Sequence, residues 1–213
     1  MFDNNFDFVD LFEQRLCDYT GFKYAVCVDC CTNGILVSLE MLKRTGVIDK
    51  NDMIRIPKKT YMSVPMTLIN NGWRIELVDE EWRCFYQIGN TGVFDSATDL
   101  HENMSHDYGH EATVCVSFQQ KKRLSLGRGG VIFTNLGPRR DMLKRMIHDG
   151  RNSRTSQMTE VNERPDDIVL GYHCYLEPEK AAIGITKLNQ PLPEYVEHSF
   201  LEYPDLCKLK TLR

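Results

Sequence analysis

Ser117-Phe118-Gln119-Gln120-Lys121-Lys122-Arg123-Leu124-Ser125-Leu126-Gly127-Arg128-Gly129-Gly130 lies between the apolar run Ala112–Val116 and the run Val131-Ile132-Phe133-Thr134-Asn135. Short apolar runs of this kind on both sides predict a basic, glycine-ended loop between two strands. A lysine here stands near a Gly-Gly turn, where backbone can approach a ligand closely, and packing on both sides can strip water from its amine. That is a suitable place for an imine-forming lysine. The plainer reading of Lys121, Lys122 and Arg123 is a solvated loop, since charge runs usually face water.

Outward from this loop the pattern alternates between helix and strand. Phe8, Val9, Leu11, Phe12 and Leu16 have helical spacing and predict a helix over Phe6–Tyr19, ended at Gly21. Tyr24–Val28 predicts a buried strand, and Thr32-Asn33-Gly34 opens a helix over Ile35–Leu42. A strand running through a polar turn into a helix N-terminus offers free N–H groups and the positive end of the dipole to a phosphate. Thr32 is equally a good N-cap that needs no ligand. Further strands are expected at Met53–Pro57 and Ile75–Asp79, with a helix over Ser63–Asn70 between them. Helices are expected over Arg140–His148 and Glu179–Leu188, and 149–167 is polar and aperiodic, so it predicts a mobile loop.

The chain has 213 residues, 42% apolar and 26% charged, enough to bury a core as one α/β domain with a small appendage. A net charge of −4 gives no basic footprint for nucleic acid. No apolar run reaches transmembrane length and the acidic start lacks the basic flank of a signal peptide, so no membrane partner and a cytoplasmic location are expected. Eight cysteines scattered over ordinary core sequence are expected to be reduced. The C-x-x-C of Cys27 to Cys30 has no second pair to complete a metal site, and His101, His106 and His110 suit a polar surface loop, so no metal is expected.

Five segments resemble, in the same order along the chain, the DegT/DnrJ/EryC1/StrS family of pyridoxal-phosphate-dependent sugar aminotransferases. The opening stretch is similar to the family's S-F-x-x-x-K…G-E-G-G, which puts Lys122 in the place of the Schiff-base lysine, Ser117 with it among the cofactor contacts, and Arg128 where the family has Glu. Lys121 is the alternative lysine if the register slips by one. Asp29 to Gly34 is similar to the S-G-T-x-A-L phosphate turn, with Thr32 on the phosphate-binding threonine and Cys30-Cys31 replacing Ser-Gly. Lys59-Thr60-Tyr61 resembles P-x-x-T-[FWY], which puts Tyr61 where an aromatic ring stacks on the cofactor. Val93-Phe94-Asp95-Ser96-Ala97 resembles E-D-A-A, with Asp95 on the aspartate that pairs with the pyridine nitrogen and Thr98 in the place of the family's Gln. Gly171 to Tyr175 and Ala181 to Gly184 resemble G-Y-N-Y-R…A-A-I-G, with His173 on the Asn that reaches the cofactor phosphate of a neighbouring subunit.

The resemblance implies a three-layer fold-type-I transferase domain with a mostly parallel sheet and helices on both faces. It implies residues 1–190 as the cofactor domain, with one helix–strand unit lost between Asp79 and Val93 and a tail, 191–213, in place of the small domain. It implies transamination of a keto-sugar attached to a nucleotide, from an amino-acid donor through a Lys122 internal aldimine, within a homodimer. Two other readings stay open: a non-catalytic descendant kept for binding or assembly, and an ordinary α/β domain with no cofactor.

Overall fold

The computed structural model describes residues 6–151 and 168–212. Along the chain these form α1 (Asp7–Thr20), β1 (Tyr24–Val28), α2 (Cys31–Arg44), β2 (Met53–Pro57), α3 (Ser63–Asn70), β3 (Arg74–Val78), β4 (Tyr86–Gln87), β5 (Val93–Asp95), β6 (Thr113–Ser117), β7 (Gly130–Thr134), α4 (Gly137–Ile147) and α5 (Pro178–Leu188). Each expected helix and strand is present; Tyr24–Val28, Met53–Pro57 and Ser63–Asn70 keep the expected ends and the others shift. The fourth helix starts at Gly137 rather than Arg140, because Pro138 is tolerated in a first turn whose N–H groups have no helical acceptor. Of the expected loop over 149–167, residues 152–167 lie outside the described ones.

Helices cover both faces of the sheet. Successive side chains of a strand point to opposite faces, so Val26 and Val28 of β1 join Cys115 and Ile132 against α2 and α4. Ala25 and Cys27 join Val114, Val116, Val131 and Phe133 against α1 and α5. Gly184 of α5 lets the two helices of that second layer meet closely, since a Cβ there would lie 2.5 Å from the Phe12 ring of α1.

The α/β class and three layers are as expected, but the sheet is not mostly parallel. Its order is β1-β7-β6-β5-β4. Among the described strands of that sheet β5 and β6 pair in parallel, whereas β1–β7, β6–β7 and β4–β5 are antiparallel. The reason is the connections: the lysine loop joins β6 to β7 without a crossover helix, which forces an antiparallel pair. Likewise, β4 and β5 form a tight hairpin after β3. Its turn uses Gly89 (φ 55°) and Gly92 (φ 75°), and the Gly89 N–H donates to the Arg55 carbonyl at 2.8 Å. That bond ties the hairpin to β2, which with β3 forms a separate parallel pair. At the other sheet edge the Cys27 N–H donates to Glu13 Oε1 (2.8 Å), and Lys144 holds the second oxygen at 2.6 Å. Burial pushes the Glu13 pKa up, and the Lys144 ammonium opposes that shift.

Beyond α5 the chain returns across the body. The Cys84 N–H donates to the His198 carbonyl (2.8 Å), the Phe200 N–H to Trp82 (3.2 Å) and the Leu206 N–H to Lys58 (2.9 Å). The Tyr195 hydroxyl donates to Asp99 Oδ1 at 2.6 Å.

Candidate active site

A cleft of about 1120 Å³ opens where the ends of β5 and β6, the start of α2, the lysine loop and the returning tail converge. The lysine loop is a closed hairpin connection: the Phe118 N–H donates to Gly129 (2.9 Å) and the Leu126 N–H to Phe118 (2.8 Å). Arg123 anchors it, donating to the carbonyls of Pro193 (2.7 Å) and Leu100 (2.9 Å) and to the Tyr19 hydroxyl (3.0 Å). Lys121 is exposed, whereas Lys122 is half-buried and lines the cleft. Among the described residues no acceptor or ion-pair partner engages Lys122 Nζ. Burial pulls its pKa below that of an exposed lysine, and the Asp95 charge only partly restores it. An amine held this way loses its proton more readily than surface lysines do.

Asp95 stands at the end of β5, directly opposite Tyr86 of β4, so the two side chains share a face. Tyr86 donates its hydroxyl hydrogen to Asp95 Oδ2 at 2.7 Å and the Ala97 N–H donates to Oδ1 at 3.0 Å. Thr60, 2.7 Å away, completes the chain by donating to the Tyr86 oxygen. Asp95 is 6% exposed, and burial raises its pKa while the bonds from Tyr86 and Ala97 and the charge of Lys122 oppose the rise. The carboxylate thus sits in a dry place, held at both oxygens and facing an amine across the cleft.

The start of α2 forms a third wall. Its N-cap is Cys30, not Thr32: the Asn33 N–H points at the Cys30 sulfur at 3.4 Å, and the helix begins at Cys31. Thr32 is therefore in the first turn, where N–H groups have no helical acceptor, and its hydroxyl bonds Ser63 Oγ at 2.7 Å. Gly130 lets β7 pass beneath this turn, since a Cβ there would lie 2.6 Å from the Cys31 nitrogen. Arg128 reaches across to Asp29 Oδ2 (2.9 Å) and to its carbonyl (3.3 Å), which adds positive charge beside the helix N-terminus.

The remaining candidates divide. Ser117, whose Oγ accepts the Gln119 N–H at 3.2 Å, lines the cleft, and so does Thr98, whose hydroxyl donates to the Cys84 carbonyl at 3.4 Å. Tyr61 lies at the same cleft with its ring 59% exposed. His173 does not join them. It is exposed, paired with Asp149 at 3.0 Å, and packs edge-on against Tyr175.

Two parts of the site were not singled out from sequence. Tyr86 is the first, although a Tyr just ahead of a glycine-bearing turn with an aspartate beyond it is a usable signal in the sequence. The tail wall, with Tyr195, His198 and Glu202 lining the cleft, had no local signal at all. Among the described residues there is no group of His, Cys, Asp and Glu fit to hold a metal, and no helix is long and apolar enough to cross a membrane.

Solved structures with this fold include AtS13 from Actinomadura melliaura (TM-score 0.68, 16% identity, covering 86% of this chain and 60% of that one). The sugar aminotransferase CalS13 from Micromonospora echinospora is similar too (TM-score 0.66, 18% identity, 86% and 60%). NtdA from Bacillus subtilis, solved with the cofactor PMP bound, has a TM-score of 0.67 at 14% identity over 85% of this chain and 47% of its own. The chain thus spans less than two thirds of the length of these proteins. No curated protein matches the sequence closely. The profile of the DegT/DnrJ/EryC1/StrS aminotransferase family matches residues 2–86 and 97–198. The gap between these stretches holds β5 and Asp95, so Asp95 rests on its geometry. With most of the sequence inside that profile, the chain belongs to the DegT/DnrJ/EryC1/StrS aminotransferase family.

Proposed function

We propose that this chain is the cofactor-binding part of a pyridoxal-phosphate-dependent aminotransferase that acts on a keto-sugar carried by a nucleotide. The observation that carries the reading is Lys122: a half-buried amine with a lowered pKa and no acceptor among the described residues, facing a buried carboxylate across one cleft. The donor set fits the cofactor. An amine can bond its carbonyl, a carboxylate can face its ring nitrogen, and free N–H groups beside Arg128 can receive its phosphate.

Bound there, pyridoxal phosphate supplies a carbonyl for amines and a ring that accepts an electron pair. Lys122 Nζ would hold it through that carbonyl and, as a free amine, would move the proton at the substrate carbon. Asp95 keeps a proton on the ring nitrogen. Tyr86 and Thr60 orient Asp95, and Thr32, Ser117 and Thr98 line the cofactor's place with Tyr61 against its face. In this reading residues 1–190 carry the cofactor, and 191–213 close the cleft. The expected signature is a visible absorption band on adding pyridoxal phosphate, which an amino donor bleaches and a keto acceptor restores. A chain with no such band would contradict the reading.

Tyr86→Phe removes one of the two donors to Asp95 and should slow amino transfer by about tenfold, the effect of one hydrogen bond to a charged group. The loss should ease as pH rises, because the missing bond lets Asp95 take up a proton more readily. A pH-independent loss would mean that Tyr86 acts only in packing.

His173 lies away from its own cleft, which leaves it to serve the cleft of a second copy. In a homodimer built this way, His173→Ala should weaken cofactor binding without unfolding the chain, and sedimentation should show cofactor released as the dimer dissociates. A monomer that binds the cofactor tightly and ignores the substitution would refute the arrangement.

A further inference from the structure

Tyr203 of the tail is half-buried and lines the cleft. Its backbone is held on both sides, because the Phe200 N–H donates to the Trp82 carbonyl (3.2 Å) and the Leu206 N–H to the Lys58 carbonyl (2.9 Å). Its ring packs on Trp82 (centroids 5.4 Å apart), which in turn packs on Tyr86 and donates its indole N–H to the Lys59 carbonyl at 2.8 Å. The segment 58–61 therefore anchors the tail, supplies Thr60 to the Tyr86 hydroxyl and carries Tyr61. The Tyr203 oxygen has no such employment: among the described residues no donor or acceptor engages it. Burial pushes its pKa up to about 12, and Asp95, Glu202, Tyr61 and Cys31 all lie close enough to add to the shift. At neutral pH it is therefore a protonated donor. Tyr203 lies past residue 198, where the family match ends, so no family role carries over to it.

We infer that Tyr203 is a cofactor-binding residue, whose hydroxyl donates a hydrogen bond to the ring end of pyridoxal phosphate from the tail side of the cleft. Asp95 and Tyr61, two of the groups that reach it, are those that the proposed function puts at the ring nitrogen and the ring face, whereas the phosphate belongs at the α2 N-terminus. The fold does not need the oxygen, since phenylalanine would pack on Trp82 as well. A half-buried hydroxyl with its hydrogen bonds unspent is a cost until a ligand or water meets it. Because the ring is already fixed by the tail and Trp82, little freedom is lost when the bond to a ligand forms. The inference rests on the proposed function for the identity of the ligand, and it adds a tail residue to the set that holds it.

Tyr203→Phe tests it by deleting the oxygen and keeping the ring. The probe is pyridoxamine phosphate, which has an amine in place of the aldehyde and forms no imine, so its affinity reads the noncovalent contacts. Binding to the full chain would be followed by calorimetry, with quenching of tryptophan fluorescence as a second signal, since Trp82 touches Tyr203. Tyr203→Phe should weaken binding about tenfold, the effect of one hydrogen bond, while the ligand-free chain melts at the parent's temperature or above it. Undiminished affinity would overturn the inference, and so would a loss of affinity that comes with a lower melting temperature, which would make the hydroxyl structural. Covalent trapping of pyridoxal phosphate at Lys122 of the parent separates the two ideas. Trapping with no effect of Tyr203→Phe sinks the inference alone. A parent that neither traps pyridoxal phosphate nor binds pyridoxamine phosphate sinks the aminotransferase reading and the inference with it.

Discussion

Lys122→Ala is expected to give a folded chain that forms no borohydride-stable adduct with pyridoxal phosphate and transfers amino groups about 10³-fold more slowly, within the range for a lost proton-transfer group. Among the described residues Lys122 Nζ has no partner to leave stranded, so the loss should fall on function rather than on folding. Stability should move the other way. Burial holds the Lys122 pKa below its unfolded value, so the stability this group contributes is full above the unfolded pKa and is lost as pH falls through the folded one. At neutral pH its ammonium form is therefore a cost. Lys122→Met, of similar length and without charge, should raise the melting temperature of the cofactor-free chain, by about 2–4 °C for each kcal/mol relieved. A Lys122→Met chain that melts lower than its parent would mean that the amine is a structural element. Lys122→Ala with undiminished transfer would place the chemistry elsewhere.

Asp95→Asn should cut amino transfer by about 10²–10³-fold, comparable with removing one preorganised electrostatic group. The adduct at Lys122 should still form, because Asp95 does not hold the cofactor covalently. The sign for stability again opposes the sign for function. Burial raises the Asp95 pKa, so its contribution is full below the unfolded pKa and is lost as pH rises through the folded one. At neutral pH an ionised Asp95 is a burden on the fold. Asparagine removes the charge and keeps an acceptor for Tyr86 at the loss of the bond from the Ala97 N–H, so the two effects oppose and melting should change little. Slower transfer with a stable fold would mark Asp95 as held for function at the expense of stability. Unchanged transfer would reduce it to a turn residue at the end of β5.

The helices and strands were legible because their apolar spacing is local. The spacing of Phe8, Phe12 and Leu16 fixes the buried face of α1 whatever that face meets, and Val26 and Val28 alternate with Ala25 and Cys27 whichever strand lies beside them. Strand direction was not legible, because periodicity does not say which strand pairs with which. The antiparallel β6–β7 pair follows from a loop with no helix in it, a signal present in the opening stretch but outweighed by the family resemblance. Cys30 was missed as the cap of α2 because sulfur is a weak acceptor, and Thr32 two residues later is the commoner choice. Lys122, Asp95 and Ser117 emerged at strand ends and were found in one cleft. His173 came from a matched segment and lies outside that cleft in this chain. The tail wall depends on pairing between distant segments, such as Tyr195 with Asp99 and Phe200 with Trp82, and no window of sequence contains both partners.

The most direct test of the central claim is to mix the purified chain with pyridoxal phosphate, reduce with borohydride and map the peptides by mass spectrometry. The pyridoxyl phosphate mass should appear on Lys122. A label on Lys121 alone, on another lysine, or on none would contradict the assignment of Lys122 as the residue that binds the cofactor.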